Sequence, residues 1–175
     1  MTTMMMTPKI WIGNLGRYNE GYLIGEWISL PCTPEELDNL YTRIGINEYY
    51  EEIFIADIEN CYIEIGEFDS IPELNEMAQV ALKVGNDKLI KAVFEYESVN
   101  SAAEAIEILE TIEDDYYLLE NINSHDDYGF YYVENHYEKL DDFTKRYLDY
   151  EAIGRDCELN EEYTLTEYGA LIKCR

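Results

Sequence analysis

Positive charge is what this chain most lacks. Twelve lysines and arginines stand against 38 aspartates and glutamates, a formal net charge of −26. A surface of that sign repels phosphates and anionic lipid headgroups, so neither nucleic acid nor membrane is expected as a direct partner. Cysteine is sparse too. Cys32, Cys61, Cys157 and Cys174 lie far apart, with no C-x-x-C pair and no zinc-ligand spacing. A structural zinc site and a disulfide framework are thereby disfavoured, and buried free thiols in a reducing compartment are expected. No apolar run approaches the ~20 residues that span a bilayer. Met1 to Lys9 lacks the apolar core and cleavage site of a signal peptide. The expected location is the cytoplasm.

The motifs of common enzyme classes are missing as well. Gly13, Gly16, Gly21 and Gly25 have no lysine and hydroxyl placed to make a phosphate-binding loop. His125 and His136 have neither an H-E-x-x-H frame nor a cysteine at ligand spacing, and read as surface or partly buried residues. No G-x-S-x-G elbow occurs, and no acidic loop with the glycine and closing glutamate that calcium needs. Carboxylate pairs suited to glycoside hydrolysis could be drawn from anywhere among so many acids, so they carry no information. The expectation is a protein without catalytic residues, metal or cofactor.

What is present argues for a folded body. A disordered acidic chain is poor in aromatic and β-branched residues, whereas this one has 17 tyrosines, 5 phenylalanines, 2 tryptophans and many isoleucines. That composition also fits badly with halophilic adaptation. Residues 9–13 and 22–30 read as strands joined by a turn through Gly16, Asn19 and Gly21. A helix follows with Thr33 as N-cap, Pro34 at its first position and Glu36 completing a capping box; Leu37, Leu40, Tyr41 and Ile44 form its face and Gly45 ends it. Ile53, Phe54 and Ile55 read as a short strand. Ser70 with Glu73 and Ser101 with Glu104 mark two further helix starts, and Leu89, Ile90, Val93 and Phe94 give another apolar face. Tyr116–Ile122 reads as a strand of poor periodicity. Asp127–Glu138 and Leu140–Tyr150 read as helices, and Glu162–Lys173 as a hairpin turning at Tyr168-Gly169. The expected class is α+β, with a small sheet and helix over 1–60, a helical part over 61–113 and a mixed part over 114–175.

The acids are spread along the whole chain, with no terminal tail. Adjacent pairs recur at Glu35-Glu36, Glu51-Glu52, Asp114-Asp115, Asp126-Asp127, Asp141-Asp142 and Glu161-Glu162, and Glu104, Glu107, Glu110 and Glu113 repeat every third residue. Like charges one turn apart oppose a helix by about 0.2–0.5 kcal/mol per pair. Capping accounts for Glu36, Glu73 and Glu104 at the positive end of a helix dipole, but Glu110, Glu113 and Asp114 approach the unfavourable end. A role in binding is the alternative to a role in folding. Duplex DNA carries about one charge per 1.7 Å, so 26 charges correspond to ~44 Å, or ~13 base pairs, and a dimer to ~26. Tyr49-Tyr50, Tyr116-Tyr117 and Tyr131-Tyr132 stand beside acidic pairs and would add contact area without positive charge, although about half of the tyrosines are expected in the core.

Three segments resemble the ArdA antirestriction family of conjugative plasmids, transposons and phages. They are Asn14-Leu15-Gly16-Arg17-Tyr18-Asn19-Glu20-Gly21 with Gly25-Glu26-Trp27; Asp127 to Glu134, ending Tyr131-Tyr132-Val133-Glu134, which resembles the antirestriction motif; and Asp149-Tyr150-Glu151-Ala152-Ile153-Gly154-Arg155-Asp156. Ile55-Ala56-Asp57-Ile58 departs from an Ile-His-Asp-Tyr-like segment of relatives, and Tyr128-Gly129 stands where Val-Ala is commoner. The resemblance implies an elongated three-part α+β homodimer that mimics bent B-form DNA and occludes the methyltransferase core of a Type I restriction–modification enzyme. It implies turn-setting roles for Gly16, Gly21 and Gly25, a core position for Trp27, and pairing of Arg155 with nearby acids. Glu104, Glu107, Glu110, Glu113, Asp114, Asp115, Asp126, Asp127, Asp141 and Asp142 are the candidate mimicking acids. The alternative is an acidic inhibitor of another nucleic-acid machine, such as a CRISPR effector or a nucleoid protein.

Overall fold

A computed structural model describes residues 6–174; Met1 to Met5, part of the stretch read above for a signal peptide, lie outside the described residues. The protein is a mixed α/β fold with two three-stranded antiparallel sheets. The chain divides into two compact units. One takes the chain up to Asp87 with Ser98–Glu110, and the other takes Lys88–Glu97 with the chain from Thr111 onward.

The first unit is built on β1 (Lys9–Asn14), α1 (Leu15–Asn19), β2 (Gly25–Ser29), α2 (Pro34–Arg43), β3 (Ile53–Glu59) and α3 (Ile71–Val84). Its sheet has the order β2-β1-β3, so β1 is central and its alternate residues Ile10 and Ile12 are fully buried. The expected starts of α2 and α3 are present. Thr33 and Glu36 form a complete capping box on α2. Ser70 accepts from the Glu73 amide on α3, and Gly85 closes that helix at φ +69°, a left-handed conformation that glycine adopts without a Cβ penalty. Asn14 ties the unit together. Fully buried, it accepts from the Arg17 amide to cap α1 and donates to the carbonyls of Ile44 (3.1 Å) and Gly45 (3.3 Å) just past α2. An unpaired amide there would cost about 1–3 kcal/mol.

The second unit contains most of α4 (Asp87–Glu97), the end of α5 (Ala102–Asp115), then β4 (Tyr116–Leu119), α6 (His125–His136), α7 (Asp142–Lys145), α8 (Tyr150–Leu159), β5 (Thr164–Thr166) and β6 (Gly169–Lys173). The sheet order is β4-β6-β5. Its core joins Ile122, Tyr128, Cys157, Tyr163 and Ala170. Tyr128 and Tyr163 stack with ring centroids 3.5 Å apart, and burial pushes the Tyr128 hydroxyl up to about 12. Beside them α6 and α8 meet backbone to backbone. A Cβ on Gly129 would lie 1.9 Å from the Tyr150 carbonyl oxygen, and one on Gly154 the same distance from that of His125.

Several expectations need correction. Within the segment Leu140–Tyr150, Asp142–Lys145 is helical and Tyr150 already opens α8, which begins where that helix was expected to end. Leu140, Phe143, Tyr147 and Leu148 imitate an apolar stripe, yet Phe143 and Tyr147 are 68% and 76% exposed. The true helix buries Gly154 and Cys157, residues too small to show as a periodic signal. The second strand starts at Gly25, with Tyr22–Ile24 in an exposed loop, and the expected turn before it contains α1. Trp27 is 40% exposed and not core, because it lies on the edge strand β2. Cys32 and Cys157 are buried as expected, Cys61 is half-buried and Cys174 exposed.

Candidate partner-binding surface

Helix α5 owes its amphipathicity to Ala102, Ala105, Leu109 and Ile112, all buried. Glu104, Glu107, Glu110, Glu113, Asp114 and Asp115 are all exposed. A residue every third position follows an i±3 ridge, inclined about 45° to the helix axis, with neighbouring Cβ atoms ~5–6 Å apart. The helix has no basic residue in its last turn to offset Glu113, Asp114 and Asp115. Glu104 has a local role: it accepts from the Asn100 amide (3.2 Å) while its own amide donates to Ser101 Oγ. Glu107, Glu110, Glu113, Asp114 and Asp115 have carboxylates with no hydrogen-bond or ion-pair partner among the described residues.

The remaining candidates lie in the second unit, all of them exposed. Asp127 accepts from Ser124 Oγ (2.7 Å) and the Asn123 amide (3.1 Å), and these bonds hold its carboxyl below the usual range. Asp141 caps α7, accepting from the hydroxyl and amide of Thr144, with the same consequence. Both therefore have a folding role that charge counting missed, although the S-x-x-D and D-x-x-T spacings signalled it. Asp126 and Asp142 accept no hydrogen bond and form no ion pair among the described residues, although the charge of Asp142 helps to hold the Lys145 ammonium protonated.

Most of the described cations are paired with other acids. Seven lysine or arginine ion pairs occur among the described residues, to Glu59, Glu20, Glu26, Glu120, Glu134, Glu151 and Glu97. None involves a candidate acid. On α5 the carboxylates thus keep their charge with no ion pair among the described residues.

The other highlighted positions are mostly architectural. Leu15 donates its amide to the Glu52 carbonyl (3.0 Å). Of the three glycines assigned to turns, only Gly21 has a positive φ, +90°. Gly16 and Gly25 instead admit rings: a Cβ would lie 2.5 Å from Tyr50 on the one and 2.3 Å from Trp11 on the other. Tyr18 packs on Phe54 with centroids 5.1 Å apart. Val133 is buried, Tyr131 and Tyr132 flank Tyr128, and Glu134 holds Lys145 at 2.7 Å. Asp149 caps α8 through the Ala152 amide, and Tyr150 donates to the Lys145 carbonyl. Arg155 pairs with Glu151 at 2.7 Å, as expected, while Asp156 is exposed.

The structure is thus an α+β scaffold on which α5 presents exposed carboxylates with no hydrogen-bond or ion-pair partner among the described residues. No helix among the described residues is long and apolar enough to cross a membrane, and no group of three or more potential metal ligands occurs among them. The family model described as antirestriction protein (ArdA) matches residues 10–171. The chain belongs to the ArdA family, and it is an antirestriction protein. No curated protein matches it significantly.

Proposed function

We propose that this antirestriction protein is a mimic of B-form DNA that occupies the DNA-binding groove of a Type I restriction–modification enzyme at its methyltransferase core. In this reading it acts in the cytoplasm as a homodimer and performs no chemistry itself. The observation that carries the proposal is the run of exposed carboxylates on α5 with no hydrogen-bond or ion-pair partner among the described residues; like charges at that spacing oppose the helix. A groove that neutralises phosphates offers lysine and arginine to them. Attraction steers the encounter, and counterions released from both surfaces favour the complex. Holding the acids on a helix matters, since flexible acids would have to be ordered on binding.

The test is restriction and methylation by a purified Type I enzyme against increasing protein, at several salt concentrations. Inhibition is expected to weaken by roughly two orders of magnitude or more between 50 and 200 mM salt, as for a ligand making several phosphate-like contacts. A variant carrying Glu107→Gln, Glu110→Gln, Glu113→Gln, Asp114→Asn and Asp115→Asn should fold normally and lose inhibition. Full inhibition by that variant, or inhibition indifferent to salt, rejects the proposal. Inhibition of a different nucleic-acid enzyme, with the Type I enzyme untouched, would keep the mimicry and replace the target.

A further inference from the structure

A cleft of about 470 Å³ lies at the end of α6, and a second of about 440 Å³ runs along the helix from Asp126 to Asn135. The second is walled by Ile122, Asp126, Asp127, Phe130, Tyr131 and Glu134. Its lining is mainly apolar. Asp126, Phe130 and Glu134 stand at i, i+4 and i+8, one above another on the helix, so a ring lies between two carboxylates. Phe130 is 53% exposed, and its other side is fixed edge-on against Tyr150 at 5.5 Å between centroids. Glu134 is held by Lys145, which leaves Asp126 as the carboxylate with no partner among the described residues.

Elsewhere this chain shows what such a pairing of ring and carboxylate holds. Arg17 places its guanidinium 4.3 Å from the centroid of the Tyr50 ring and bonds Glu20 at 3.0 Å, while the Tyr50 hydroxyl donates to the same carboxylate. Lys173 bonds Glu97 at 2.7 Å and lies 5.4 Å from the centre of the Tyr116 ring. Beside Asp126 and Phe130 the ring and the acid are present, and no cation of the described residues fills the place.

We propose that the cleft between Asp126 and Phe130 receives one arginine side chain of the partner protein, its guanidinium lying on the Phe130 ring and bonded to Asp126. The inference rests on the proposed function and gives its partner a chemistry. Arginine suits the site better than lysine, because a planar, weakly hydrated cation can stack and bond a carboxylate at once, whereas an ammonium is a hydrated point charge. A contact of this kind is partly apolar. It would therefore resist salt more than carboxylates ranged against a groove do.

Hexa-arginine and hexa-lysine peptides, titrated into the full chain at one ionic strength, test this. The arginine peptide should bind roughly two- to fivefold more tightly than the lysine peptide beyond any general preference, the increment of an exposed cation–π contact. Phe130→Leu, which keeps apolar packing on Tyr150, should remove that increment and leave the affinity for hexa-lysine unchanged. Phe143→Ala, at another exposed ring of the same unit, should leave the increment intact. Equal binding of the two peptides, or an increment that survives Phe130→Leu, overturns the inference. So does an increment lost equally with Phe143→Ala. The restriction assay separates the two proposals: without the arginine increment but with salt-sensitive inhibition, only this one falls. An increment without inhibition keeps the arginine site and removes the Type I enzyme as its partner.

Discussion

Helix α5 and the crossing of α6 with α8 meet opposite demands. On α5 five exposed carboxylates have no hydrogen-bond or ion-pair partner among the described residues, although each repels its neighbours. At the crossing, Gly129 and Gly154 stand where even a methyl group would run into a carbonyl oxygen. The residues at the crossing are dictated by the fold. Those on α5 are indifferent to it or opposed to it. The contrast separates two causes for a residue's presence, and a substitution in each region should produce effects of opposite sign on stability.

The largest effect is expected where the two helices touch. Gly154→Ala would place its Cβ 1.9 Å from the His125 carbonyl, and that atom belongs to backbone, which cannot swing aside as a side chain can. Overpacking a tight site commonly costs about 1–3 kcal/mol, and with backbone on both sides the upper end or beyond is expected. Urea unfolding followed by circular dichroism would measure it, and Gly129→Ala should behave alike. A loss below about 0.5 kcal/mol, the level of an ordinary surface change, would mean that the helices can separate freely, and the contrast with α5 would dissolve.

How much of the molecule is legible in its sequence follows the same division. The capped helices can be read because Thr33, Pro34 and Glu36, or Ser70, Pro72 and Gly85, announce a terminus through local chemistry alone. The hairpin at Tyr168-Gly169 is readable for a similar reason, with Gly169 at φ +137°. Helix α8 stays hidden because its buried face is made of glycine and cysteine, whose value lies in what the partner helix puts against them. Phe143 and Tyr147 mislead in the other direction: exposed rings at helical spacing look like a core stripe. The acids are visible as residues, but their partners are not. That Asp127 braces the Ser124 cap of α6 and Asp141 caps α7, and that Asp126 and Asp142 have no such role, is a matter of hydrogen bonds.

Asp126 and Asp127 sharpen the comparison within two residues. Asp127 accepts two hydrogen bonds and Asp126 none from the described residues. Asp127→Ala should destabilise by a few tenths to about 1 kcal/mol, the scale of a carboxylate in the first turn of a helix; Asp126→Ala should be near neutral. The sign with pH follows from the bonds to Ser124 and Asn123, which depress the Asp127 carboxyl in the folded state. Its stabilisation is complete above the ordinary carboxylate pKa of about 4. It disappears as pH falls through the lower folded value, so the gap between parent and Asp127→Ala is full at pH 7 and closes below about pH 4. Unfolding curves at pH 7, 5 and 3 would show it. A gap that widens on acidification would contradict the assignment.

The smallest effect has the sign that matters most. Glu107→Gln with Glu110→Gln removes a like-charge pair one turn apart and relieves Glu110 of its repulsion from Glu113 and Asp114. Each such pair opposes the helix by about 0.2–0.5 kcal/mol. Because no hydrogen bond of the described residues is lost, the double variant should be equal to or slightly more stable than its parent, by a fraction of that sum after salt screening. Thermal melting at low and moderate salt would resolve the gain, which should shrink as salt rises. If the variant is instead less stable, those carboxylates serve the fold after all, and their number on α5 no longer calls for a binding partner to explain it.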